Sequence, residues 1–181
     1  DTSQKLTLMK TSADSLKKSA DALNDSSLWE KKKIKKKDEK TGEEIEVEDY
    51  DWDKITKAVK SFVEDYNDVV KEAGESNTKD VLRNASWMTG MTDKNSNMLA
   101  KIGITIGKGN KLELDEDALK QADISSLKTV FTGYNSFVSK ISQKATGISN
   151  AANRASATYT NNGTYSKTDS SLTSSKIDKE V

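Results

Sequence analysis

Apolar side chains recur along this chain at alternating steps of three and four residues, in three separate stretches. Leu6, Met9, Ala13, Leu16, Ala20 and Leu23 form the first; Trp52, Ile55, Val59, Phe62, Tyr66 and Val69 form the second. The third runs through Ile124, Leu127, Phe131, Tyr134, Val138, Ile141, Ala145, Ile148, Ala152 and Ala155. A 3.5-residue repeat keeps one narrow face of a helix apolar over several turns, as helices packed at a shallow angle require. The spacing predicts a helix over 3–24, a second from an Asp51 or Asp53 cap to near Gly74, and one uninterrupted helix over 124–158. Gly133 and Gly147 inside the last would each cost about 1 kcal/mol relative to Ala, so packing must maintain the helix there.

Between the seams the period changes. Lys31, Lys32, Lys33, Lys35, Lys36 and Lys37 surround Ile34, and Glu43, Glu44, Glu46, Glu48 and Asp49 surround Ile45 and Val47. Asp38 to Gly42 supplies a turn between these halves of opposite sign, which predicts a solvated antiparallel hairpin with lysines across from carboxylates. Residues 79–101 predict a helix broken near Gly90, with Trp87, Met88 and Met91 read as core filling. Ile102, Ile104 and Ile106, then Leu112 and Leu114 beyond Gly107 to Asn110, predict a second small hairpin. Asp115-Glu116-Asp117 opens a short helix, its carboxylates complementing the positive helix end.

The expected fold class is mainly α: an elongated antiparallel helical bundle or coiled coil with two small β-hairpins. The expected divisions are 1–28, an N-terminal coiled-coil helix; 29–50, a charged hairpin insertion; 51–160, a helical core carrying hairpin 102–114 and helix 124–158; and 161–181, a flexible Ser/Thr-rich tail.

Composition narrows the chemistry. The 181 residues include no His, Cys or Pro, which removes Ser-His-Asp and Cys-His nucleophile systems and ordinary zinc sites. No catalytic, cofactor-binding or metal-binding residue is assigned, and the chain is expected not to be an enzyme. Asp115, Glu116 and Asp117 lack the spacing of a calcium loop. With 29 basic and 29 acidic residues the net charge is zero, and the acidic strand would neutralise the lysine run within a Debye length of about 8–10 Å, so no nucleic-acid partner is expected. No apolar run approaches the ~18 residues of a membrane span, so no membrane insertion is expected. The N-terminal residues lack the regions of a secretory signal, and a start at Asp1 rather than Met implies trimming. Hydrophobic residues at 33% against 32% charged fill narrow seams more readily than a wide interior.

Two stretches carry a resemblance. Phe62-Val63-Glu64-Asp65-Tyr66-Asn67-Asp68-Val69-Val70 is similar to a helix of the flagellar hook-associated protein 2 family, the filament caps. So, more specifically, is Leu99-Ala100-Lys101-Ile102-Gly103-Ile104-Thr105, followed by Lys111 to Leu119 and then Val130-Phe131. The resemblance implies an extracellular protein of the bacterial flagellum or cell surface that homo-oligomerises, contacts flagellin-like axial subunits and promotes filament assembly. Leu6, Leu16, Leu23, Tyr66, Met91 and Ile148, all on the seams or the Met-rich stretch, are the expected interaction residues. The family's large inserted domains have no counterpart here beyond the charged hairpin. The competing expectation is an exported helical surface, adhesion or secretion-substrate protein without a flagellar role.

Overall fold

The structure, a computed structural model, describes residues 1–160 and the side chains of 1–158. It is 68% helical, with seven α-helices and two antiparallel two-stranded sheets among the described residues. The expected tail, 161–181, lies outside the described residues. In chain order the elements are α1 (Ser3–Leu23), a 3-10 turn (Ser26–Trp29), β1 (Lys32–Lys37), β2 (Glu44–Asp49), α2 (Trp52–Gly74) and α3 (Lys79–Lys94). There follow α4 (Ser96–Ala100), β3 (Ile104–Ile106), β4 (Leu112–Leu114), α5 (Glu116–Gln121), α6 (Ile124–Phe131) and α7 (Phe137–Thr160).

Four of these helices form the body. Side-chain caps open two of them: Thr2 Oγ1 accepts from Lys5 N–H at 3.1 Å at the start of α1, and an Asp51 carboxylate oxygen accepts from Lys54 N–H at 3.1 Å at the start of α2. Helix α1 packs on α2 and α7, and α3 packs on the same two, closing a ring of four. The polar links fix the directions. Ser149 and Ser142 of α7 donate to Asp14 and Asp21 of α1 at 2.6 and 2.7 Å, so the residue numbers run oppositely along the pair. Ser12 of α1 donates to Glu72 of α2 at 2.8 Å, and Tyr66 of α2 to Thr92 of α3 at 2.8 Å. Neighbours are therefore antiparallel, and α2 and α7 run the same way.

All six seam residues of α1 are buried, as are Ile55, Val59, Phe62, Tyr66 and Val69 of α2. One end of the bundle is filled by aromatics. Trp29 stacks on Phe131 with centroids 5.6 Å apart and donates from Nε1 to the Leu23 carbonyl at 2.7 Å; Phe62 meets Phe131 and Phe137 edge-on.

Two expected helix boundaries are corrected. The uninterrupted helix over 124–158 is two helices, α6 and α7, because Gly133 adopts φ +104°, a left-handed conformation that ends a helix. Asn24, at the end of α1, holds the break: its carboxamide accepts from Gly133 N–H at 2.9 Å and donates to Gly133 O at 3.3 Å. Tyr134, which satisfies the repeat, is 85% exposed in that turn. Conversely, α3 passes through Gly90 without interruption and stops only at Asn95. Gly147 stays helical within α7, where a Cβ would collide with the Asn84 carboxamide of α3; the glycine permits that close approach.

Candidate functional site

The expected interaction residues divide sharply. Leu6, Leu16, Leu23, Tyr66 and Ile148 are buried in this chain's own bundle, none more than 2% exposed. Withdrawing one such side chain to engage a partner would forfeit about 1.5–3 kcal/mol of burial, so they hold this chain's own bundle together. Met91 alone is partly accessible, on the outer side of α3.

Beside it lies the clearest surface feature. Trp87, Met91 and Lys94 of α3 and Lys140, Gln143 and Lys144 of α7 line a shallow groove of about 660 Å³. Trp87 is 64% exposed, which corrects its expected role as core filling; Met88, one residue on, points inward and is fully buried. The Lys144 ammonium sits 4.4 Å from the Trp87 ring centroid, a distance at which the cation is attracted to the aromatic face. None of Lys94, Lys140 and Lys144 forms an ion pair among the described residues. The period-based signal could not have found this site, because Trp87 falls off every seam.

The motifs that carry the resemblance meet in space. Asn67, next to Tyr66 on α2, grips one residue of β4: its Nδ2 donates to Leu112 O at 2.9 Å and its Oδ1 accepts from Leu112 N–H at 2.7 Å. Gly103, which opens β3, has φ +91°, and a Cβ there would lie 2.7 Å from Asp115 O and 2.9 Å from Leu119 N. The Asp115 N–H donates to Gly103 O at 2.8 Å, and the Asp115 side chain caps α5 through Ala118 N–H at 3.1 Å. The expected capping role of that acidic triplet is therefore carried by Asp115. Burial pushes the Tyr66 hydroxyl up to about 12, so it stays protonated and donates to Thr92, which itself donates to Met88 O.

The seam electrostatics are two-sided. On the α7 flank of α1, burial works against the Asp14 and Asp21 charges. Hydrogen bonds from Lys10 and Ser149 to Asp14, and from Lys17 and Ser142 to Asp21, outweigh it and hold both carboxyls below the usual value. On the α2 flank, burial raises Glu72 and Asp65, reinforced by neighbouring carboxylates, and Glu72 Oε1 is buried with no hydrogen-bond partner among the described residues. No group of three or more Asp and Glu side chains is arranged to hold a metal ion among the described residues, and no helix of the described residues is long and apolar enough to cross a membrane.

These features define a four-helix bundle protein with two β-hairpins, whose long apolar seams are internal and which presents a groove beside the exposed Trp87 on one face. The chain belongs to the flagellar hook-associated protein 2 family: residues 76–180 match the model described as flagellar hook-associated protein 2 C-terminus. No curated protein and no solved structure matches it. The family is a structural cap at the extracellular tip of the flagellum. The matched residues include α3, α7 and the β3–β4 hairpin, whereas α1, α2 and the β1–β2 hairpin precede them. Half of the bundle that buries the family's C-terminal region is thus supplied by the first 75 residues.

Proposed function

We propose that this chain is a cap-type assembly element of the bacterial flagellum: outside the cell it associates with further copies of itself and contacts flagellin-type axial subunits, promoting their incorporation into the filament. The observation that carries this is the family match over residues 76–180. The physical arrangement supports it. A bundle whose seams are filled from within is a rigid support, and an exposed Trp with adaptable Met beside it suits docking of an apolar helix face. The protein then acts through surfaces, by presenting them repeatedly around an oligomer.

A strain lacking the gene tests this directly. Flagellin is quantified in the medium and in sheared filaments, with and without the gene restored in trans. The expected outcome is unassembled flagellin in the medium and few filaments, reversed by restoration; normal filament length and motility in the deletion strain would overturn the proposal.

A further inference from the structure

The β1–β2 hairpin has two free edges, and they carry opposite charge. The strands pair antiparallel with Lys33 opposite Glu48, Lys35 opposite Glu46 and Lys37 opposite Glu44, and neither strand has a second strand partner among the described residues. The phase of the ladder follows from the turn: Asp38 N–H donates to Glu43 O at 2.7 Å, so 38 and 43 form a hydrogen-bonded pair. In an antiparallel ladder such pairs alternate with pairs whose backbone groups point outward. The outward N–H and C=O groups therefore belong to Lys33, Lys35 and Lys37 on one edge and to Glu44, Glu46 and Glu48 on the other. These six side chains share one face of the hairpin, all are exposed, and none forms an ion pair among the described residues. The Lys36–Asp49 pair, at 2.6 Å, lies on the opposite face with Ile34, Ile45 and Val47.

We infer that the basic edge of β1 in one copy of this chain accepts the acidic edge of β2 in another, extending the two-stranded sheet from copy to copy. Each junction repeats the arrangement inside the hairpin: outward backbone groups of lysines bond to those of glutamates, and the two charge rows lie side by side. Charged edges normally forbid strand pairing. Here the charge forbids only a like edge and favours the opposite one, so the same residues provide attraction and discrimination. The contact uses two different surfaces of each copy and is head-to-tail, a geometry that closes into rings when the rotation allows. A lone hairpin is marginal in water, so added strands also steady it. The inference deepens the self-association in the proposed function and rests on that reading for its purpose.

The test is a charge exchange in the full chain. Exchanging the edges, K33E/K35E/K37E with E44K/E46K/E48K, preserves every opposition inside the hairpin and every opposition between identical copies. It places like charge against like wherever an exchanged copy meets the original. Sedimentation of each protein alone, and of differently labelled mixtures, is expected to show that each self-associates and that the two sort apart, with mixed contacts weakened at least about tenfold. Association should weaken as salt rises. Lys35→Pro, which removes an outward N–H while leaving the hairpin's own ladder, should abolish association with the bundle's helical circular dichroism unchanged. Free co-assembly of original and exchanged chains, association insensitive to Lys35→Pro, or a strictly monomeric protein overturns the inference. Flagellin retention by a strain carrying Lys35→Pro separates the two readings: normal capping would remove the hairpin from the function and leave the cap, whereas normal filaments in the deletion strain remove the cap and leave the edge pairing.

Discussion

The two hairpins are built from the same kind of element and held in opposite ways. β1 and β2 are each six residues long, yet they are secured mainly by their own ladder, with Ile45 39% exposed. β3 and β4 are three residues each, yet Ile104 and Leu112 are buried in the common core and Asn67 clamps Leu112 from a neighbouring helix. Strand length alone would rank them the other way. What secures a hairpin is the surface its faces pack on and the polar groups its backbone finds there.

The largest effect expected from breaking this contrast comes from a matched pair of glycines. Both have positive φ, Gly103 at +91° and Gly42, in the β1–β2 turn, at +72°. A Cβ at Gly103 meets Asp115 O and Leu119 N, backbone atoms that cannot rotate aside, whereas one at Gly42 meets nothing within 4 Å. Gly103→Ala therefore combines backbone strain with overpacking and should destabilise by roughly 3–5 kcal/mol. Gly42→Ala carries the strain alone, about 1–2 kcal/mol, and only within the hairpin. Urea unfolding followed by circular dichroism measures both; equal costs would show that the β3–β4 hairpin is not anchored as described.

A smaller effect isolates the clamp itself. Asn67→Ala leaves Leu112 N–H and C=O without their partners and should cost about 1–3 kcal/mol. Amide exchange at Leu112, whose N–H donates to Asn67, should accelerate more than exchange in α1. Ile45→Ala, on the unanchored hairpin, should stay within about 0.5 kcal/mol. Similar losses for both variants would erase the distinction between the hairpins.

These anchors also mark how far the sequence was legible. The α1 and α2 seams could be read directly, since every apolar position of the α1 repeat turned out buried and the Asp51 cap lies where polarity changes. The repeat failed between Phe131 and Phe137 because periodicity records side-chain polarity and ignores backbone conformation. Tyr134 satisfies the spacing while Gly133 turns the chain away, and the asparagine that holds Gly133 lies more than a hundred residues earlier. The opposite error at Gly90 has the same root, because a helical glycine with open space around it does not end a helix. The burial of Leu6, Leu16, Leu23, Tyr66 and Ile148 within the chain was not legible for a different reason: a 3.5-residue seam looks the same whether its partner is another helix of the chain or another molecule. Trp87, the exposed aromatic of the groove, belongs to no seam. Charge alternation in 29–50 was legible as a hairpin, but the outward phase of its backbone groups emerged only once Asp38 was seen bonded to Glu43.

The smallest effect tests the same contrast inside the bundle, where α1 has one flank of satisfied carboxylates and one that is not. Asp14 and Asp21 are held below the ordinary value, so their contribution is present above about pH 3.9 and is lost as pH falls through their folded values. Glu72 and Asp65 are raised, so the fold disfavours their charged forms, and stability is gained as pH falls through their folded values towards about 4. The two flanks therefore oppose one another: Tm should rise on acidification from pH 7 towards about 4 and fall again below it. Glu72→Gln keeps an acceptor for Ser12 and removes the penalised charge. It should raise Tm at pH 7 by no more than about 3 °C and flatten the rise on acidification, leaving the loss below about pH 4 in place. Asp21→Asn should do the reverse, lowering Tm at pH 7 and blunting the acid loss, because it weakens the links to Lys17 and Ser142. A scan of Tm against pH for the three proteins decides it, and an unaltered rise in Glu72→Gln would mean that Glu72 carries no charge penalty at neutral pH and that any rise comes from Asp65.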